Sequence, residues 1–165
     1  MSGLYYLSVT LHVLAALLWL GGMFFLAVVG APVLRRVEPP ALRAQLFRLL
    51  GEQFRRVGWG AIAVLLVTGI TNLHFRGLLT AGVWSNSAFW ATGMGTALAW
   101  KLVAVATMLS ISAFHDFVAG PAAARMESGS PSALRARRRA AILARLNAVV
   151  GLVVVIAAVR LARGG

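Results

Sequence analysis

The chain has no cysteine, and only 4 acidic residues stand against 16 lysines and arginines in 165 residues. Without cysteine, disulfides, thioether-linked haem, iron–sulfur clusters and thiolate metal relays are excluded. Any metal or cofactor must therefore be held by His, Met, Lys, carboxylate or backbone groups. Charge of any sign is scarce, at 12% of residues, while 60% are hydrophobic. A soluble domain of this length cannot bury that much apolar surface, so the composition is that of an integral membrane protein. A net charge of +12 would point to nucleic acid in a soluble protein. Here the arginines fall in blocks between apolar runs, and they read as topology signals and lipid-headgroup contacts, with no nucleic-acid role. No nucleophile–base arrangement and no phosphate-binding glycine loop is present, which excludes the soluble-enzyme readings.

Four apolar runs remain, at about 4–34, 57–79, 93–118 and 141–161. A span needs about 20 mostly apolar residues, and none of the runs shows the strict alternation of a barrel strand. The expected fold is all-α: one domain, 1–165, forming a four-transmembrane-helix bundle. The first run is too long for a cleaved signal peptide and has no basic region before it, so it reads as retained. Arg35, Arg36, Arg43, Arg48, Arg55 and Arg56 lie in the first connection, and Arg125, Arg135, Arg137, Arg138 and Arg139 in the third. The second connection, 77–92, holds neither Lys nor Arg. The positive-inside rule puts the first and third connections in the cytoplasm and both termini outside, on the periplasmic side of a bacterial inner membrane. Residues 41–53 read as a short amphipathic surface helix, with Leu42, Leu46, Leu49 and Leu50 on one face. Residues 119–134 read as a flexible inner loop. Trp84, Phe89 and Trp90 in the outer connection carry the aromatic signature of a membrane interface.

With that topology, depth follows from about 1.5 Å per residue. His12 lies in the outer third of the first span. Asn72 and His74 arrive near the outer surface at the end of the second, followed by Arg76, and Lys101 lies in the outer third of the third span. His12, Asn72, His74 and Lys101 thus share a depth, with Met94 and Thr96 just above. An ionisable side chain inside an apolar span is costly unless it faces a partner, a metal or a cavity. Two neutral imidazoles on neighbouring helices can ligate a haem iron from both faces. Arg76 and Lys101 would then hold the propionates, and Asn72 would orient an imidazole. The same groups suit copper, with imidazoles from His12 and His74 and a thioether from Met94. Plainer roles exist for each: His12 as an interhelical hydrogen-bond donor, His74 hydrated at the interface, Lys101 snorkelling outward, Trp19 as packing. His115 with Asp116 lies at the other end of the third span.

The run Leu11-His12-Val13-Leu14-Ala15-Ala16 followed by Trp19-Leu20-Gly21-Gly22 resembles the first helix of the CopD copper-resistance family. Thr68-Gly69-Ile70-Thr71-Asn72 resembles that family's second core helix, and Gly95 through Trp100-Lys101-Leu102 its next. The fourth span, with Ala144-Arg145-Leu146-Asn147, is of a type common in such bundles. CopD-like bundles are also similar to HemJ-type protoporphyrinogen oxidases, small four-helix haem proteins. In those, a His in the first helix and a Lys before a Leu in the third matter, positions matched by His12 and Lys101-Leu102. A Tyr-His pair three turns after that Lys has no counterpart, because Ile111-Ser112 stands there. The resemblance implies a CopD/HemJ-like bundle with copper transport or haem redox chemistry.

The expectation from the sequence is therefore a membrane protein binding b-type haem near its outer face. It would work in electron transfer or in oxidation of a lipophilic or porphyrin-like substrate, with His12 and His74 axial. Copper handling or uptake through His12, His74 and Met94 is the alternative. A cofactor-free subunit of a larger complex is the third, and a homo-oligomer is compatible with each.

Overall fold

The computed structural model describes residues 3–124 and 130–164. Arg125 and the Gly/Ser-rich centre of the third connection lie outside the described residues. Among the described residues every regular element is helical. In hydrocarbon each backbone N–H and C=O must be satisfied within the segment, and the helix is the single-segment solution. Four long helices carry the chain: α1 (Gly3–Phe25), α2 (Pro40–Phe75), α3 (Gly93–Phe114) and α4 (Pro131–Ala162). Each contains a stretch long and apolar enough to cross a membrane, the first continuing to Leu34 and the third to Ala122. The protein is thus an all-α integral membrane protein with four spanning helices, and its outward apolar side chains meet lipid.

Two boundaries differ from the sequence reading. Residues 41–53 form no separate surface helix; they are the first third of α2, one unbroken helix of 36 residues. Amphipathicity there marks the part of a long helix that emerges from the apolar layer. The stretch 119–134 is helical to Ala124 and again from Pro131, so the loop is shorter than its Gly, Ser and Pro content suggests.

The helix ends have local causes. Pro40 sits in the first turn of α2, where its missing N–H costs no helical bond. Gly77, at φ +69°, ends α2. Its N–H bonds the His74 carbonyl at 2.9 Å and the Leu78 N–H bonds the Leu73 carbonyl at 2.9 Å, the Schellman pattern that needs a left-handed residue after the cap. The Thr92 hydroxyl caps α3 by accepting from the Gly95 N–H at 3.0 Å.

The chain forms two compact units, Met1–Asn86 and Ser87–Gly165. Each is a helical hairpin built on one plan. In the first, α1 passes into a π-helical turn, Leu26–Gly30, then a short α segment, Ala31–Leu34, before α2 returns. In the second, α3 passes into a π-helical turn, His115–Ala119, then Gly120–Ala124, before α4 returns. A proline, Pro32 or Pro121, stands second after each π turn. Proline has no N–H for the carbonyl four residues back and clashes with it, and a one-residue widening of the helix relieves that clash. The shift shows in the bonds that close each turn, from the Ala31 N–H to the Leu26 carbonyl and from the Gly120 N–H to the His115 carbonyl.

Candidate metal site in the first hairpin

On α1, Ser8, His12, Ala15, Trp19 and Gly22 recur at alternating steps of four and three residues. On α2, Phe54, Gly58, Ala61, Leu65, Thr68 and Asn72 do the same. That spacing keeps one narrow stripe of each helix facing its partner. Ser8, Ala15, Trp19, Gly58, Ala61 and Thr68 are buried along it. The small residues set how closely the helices approach. A Cβ on Gly58 would lie 3.3 Å from Trp19 Cδ1, and one on Gly22 only 2.5 Å from Phe54 Cε2. Trp19, 5% exposed, is a packing residue that fills the hollow over Gly58.

Into this seam the sequence places one imidazole. His12 Nδ1 lies 2.8 Å from Thr68 Oγ1. The Thr68 hydroxyl spends its own proton on the Val64 carbonyl, 2.6 Å away, so its oxygen is the acceptor and His12 Nδ1–H the donor. The tautomer follows: Nδ1 carries the proton and Nε2 the lone pair. A ligating imidazole is usually prepared in this way, its outer N–H fixed by an oxygen acceptor that sets ring orientation and basicity. Gly69 lies against the ring, where a Cβ would meet His12 Cε1 at 3.5 Å, an ordinary van der Waals contact. The Ser8 hydroxyl, one turn earlier on α1, donates to the Thr68 carbonyl at 3.4 Å. Asn72 lies one turn beyond Thr68, about 6 Å along the axis. Its Oδ1 is buried with no hydrogen-bond partner, an arrangement that in a native interior calls for an ion, a water or a functional role.

The other residues singled out by the sequence fall elsewhere. His74 is exposed in the last turn of α2, its ring edge-on to Phe75 at 6.0 Å between centroids. It is about 200° around the helix from Asn72 and about 9 Å along it from Thr68. His12 and His74 thus do not share a face, and a porphyrin clasped between them draws no support from the geometry. Arg76 caps α2, exposed, with its backbone N–H on the Asn72 carbonyl at 3.2 Å. The bond to the imidazole expected from Asn72 is made at Nδ1 by Thr68. Met94 and Lys101 belong to the second hairpin, Met94 in the first turn of α3 and Lys101 half-buried two turns further.

Thr68 and Ser8 are the residues the sequence reading missed. The four-and-three spacing shared with Gly58 and Ala61 was the available signal, and it places Thr68 opposite His12 once the two helices are taken as antiparallel neighbours. Among the described residues no three His, Cys, Asp or Glu side chains gather into a metal-holding group.

An uncharacterized protein of Aquifex aeolicus (strain VF5) is 31% identical over 155 residues, covering 93% of this chain and 92% of that one. No solved structure matches. The family model described as CopD, copper resistance protein D, matches residues 48–161, from the first third of α2 to the end of α4, and the chain therefore belongs to the CopD family.

Proposed function

We propose that this protein handles copper within the membrane, taking the ion up at the seam between α1 and α2 and passing it across the bilayer. The observation that carries the reading is the His12–Thr68 hydrogen bond, 2.8 Å long, in the buried seam of a hairpin with no other imidazole on that face. Imidazole is a good copper ligand. Copper(II) favours tetragonal sets of nitrogen and oxygen donors, which a lone imidazole beside two hydroxyls does not supply. Copper(I), content with fewer and softer donors, suits it better. Asn72 Oδ1 is the next acceptor along the stripe and would hold a water or the polar shell of an arriving ion.

The Arg-rich stretches at 35–56 and 131–139, at one end of α2 and of α4, face the cytoplasm of a bacterial inner membrane in this proposal, and both termini face the periplasm. The His12 end of the seam then opens on the periplasmic side, where copper arrives. Membership of a family described by copper resistance supports copper as the cargo.

The test is copper(I) flux into proteoliposomes holding the purified full chain, with a copper(I) chelator trapped inside. His12→Ala is expected to reduce the initial rate at least tenfold, and His74→Ala to leave it within about twofold of the parent. Equal rates for His12→Ala and the parent protein would sink the proposal.

A further inference from the structure

The arginine-rich ends of α2 and α4 are built differently. On α2, Arg43 pairs with Glu38 and Arg48 with Glu52, at 3.3 and 3.4 Å. Arg43, Arg48, Arg55 and Arg56 follow at steps of five, seven and one, which scatters them around the helix. On α4, Arg135, Arg138 and Arg139 follow at steps of three and one, which gathers them on one face. All three are exposed. Among the described residues no carboxylate pairs with any of them, and the sole acid described in the second hairpin, Asp116, is bonded to His115 at 2.9 Å.

That face does not end with the arginines. At steps of three and four it runs on into Ile142, Leu146 and Val149, each exposed. The other side of α4, with Asn147, Ala148 and Gly151, is buried, and Asn147 Nδ2 donates to Ser112 Oγ of α3 at 2.8 Å. A row of guanidinium groups passing directly into apolar side chains, on the outer surface of a spanning helix, matches a phospholipid in form. Its phosphate meets the arginines, which bind such groups bidentately, and its acyl chains lie along the apolar stripe.

Arg145 adds an independent argument. It is exposed on the same side of α4, seven residues after Arg138. Arg160, in the last turn of the helix, is 15 residues further on, about 22 Å, whereas a hydrocarbon layer is about 30 Å thick. With Arg160 at the far interface, Arg145 lies inside the near one by about 8 Å. A charge there is costly unless it reaches an opposite charge, and among the described residues no carboxylate pairs with it. Its Cα–Cβ bond leans toward the helix N-terminus, so the side chain leads back toward Arg138 and the headgroup level. A topology signal alone needs positive charge somewhere in a connection. It requires neither a common face, nor the absence of carboxylates, nor an arginine within the layer.

We propose that this face of α4 is a binding site for an anionic phospholipid, with the headgroup phosphate on Arg135, Arg138, Arg139 and Arg145 and an acyl chain along Ile142, Leu146 and Val149. The ammonium of a zwitterionic headgroup would meet uncompensated positive charge here, so the site selects lipids that lack one. It lies on a single helix and is independent of copper as the cargo.

The test is native mass spectrometry of the purified, delipidated full chain, titrated with phosphatidylglycerol and with phosphatidylcholine of the same acyl chains. The parent chain is expected to bind phosphatidylglycerol about 25-fold more tightly or better. Each arginine near the headgroups adds about fivefold to such binding. Arg138→Gln/Arg139→Gln is therefore expected to weaken phosphatidylglycerol roughly 25-fold with unchanged circular dichroism, and Arg138→Lys/Arg139→Lys, which keeps the charge, to stay within about fivefold of the parent. Arg35→Gln/Arg36→Gln removes the same charge from the first hairpin and is expected to stay within about twofold. Equal affinity of the parent for the two lipids would overturn the proposal without recourse to any variant. Equal weakening by the Arg35/Arg36 variant would replace the site with diffuse attraction. Displacement of phosphatidylglycerol by millimolar inorganic phosphate would assign the arginines to a free anion and overturn the lipid.

Discussion

Thr68→Val tests the chemistry of the seam most directly, because it swaps a hydroxyl for a methyl at nearly constant volume. In the parent protein Thr68 Oγ1 accepts from His12 Nδ1 at 2.8 Å and donates to the Val64 carbonyl at 2.6 Å. Valine removes both bonds. The Val64 carbonyl keeps its place in the helical ladder, so that loss is small. Nδ1–H has lost its acceptor, and a buried donor left so costs about 1–3 kcal/mol. The ring can escape that cost by turning or by moving its proton to Nε2, and either change spoils Nε2 as a ligand. Loss of an outer partner of this kind lowers metal affinity by about 10- to 100-fold, equivalent to about 1.4–2.7 kcal/mol. Thr68→Ser keeps the hydroxyl and should bind copper(I) within about threefold of the parent. Competition with a copper(I) chelator measures the affinity, and long-range ¹H–¹⁵N spectra of the imidazole read the tautomer. If Thr68→Val bound copper(I) as tightly as the parent with the Nδ1–H tautomer intact, the hydrogen bond would have no part in preparing the site.

Other substitutions separate packing from chemistry. Gly95→Ala should destabilise the start of α3, because the new Cβ would collide with the Phe89 carbonyl and approach Trp90 Cα at 2.8 Å, and backbone cannot step aside as a side chain can. A lower thermal unfolding midpoint in detergent is the readout. Gly22→Ala meets only the Phe54 ring, which can rotate; it should cost less than Gly95→Ala in the same assay and leave copper binding at His12 in place. Asn147→Leu removes the bond to Ser112 Oγ inside the second hairpin. Interhelical bonds of this kind in membrane proteins contribute about 0.6–2 kcal/mol, so unfolding in denaturing detergent should shift by about that amount, with copper binding at His12 unaffected.

Composition alone determined that this chain lives in a membrane and is helical. Four apolar runs without cysteine or many acids leave no soluble core to build, and hydrocarbon forces each run to satisfy its own backbone. Periodicity could also have shown the seam, since the four-and-three spacing of small residues on α1 and α2 is written in the sequence. His12 stood out as an ionisable group in an apolar run. What the sequence could not decide is which groups meet. Depth along a helix is a one-dimensional coordinate, and it grouped His12 with His74 because both lie near one end of a span. Rotation about the helix axis is the second coordinate, and it turned His74 away from the seam and brought Thr68 in as the oxygen that holds Nδ1. The boundaries of α2 and of the third connection were hidden for a related reason. Hydropathy marks where apolar residues stop, whereas a helix begins and ends where its backbone allows, here starting at Pro40 and Pro131 and closing at Gly77. The π turns likewise came from a proline acting on backbone bonds one turn away, an effect that only the folded helix displays.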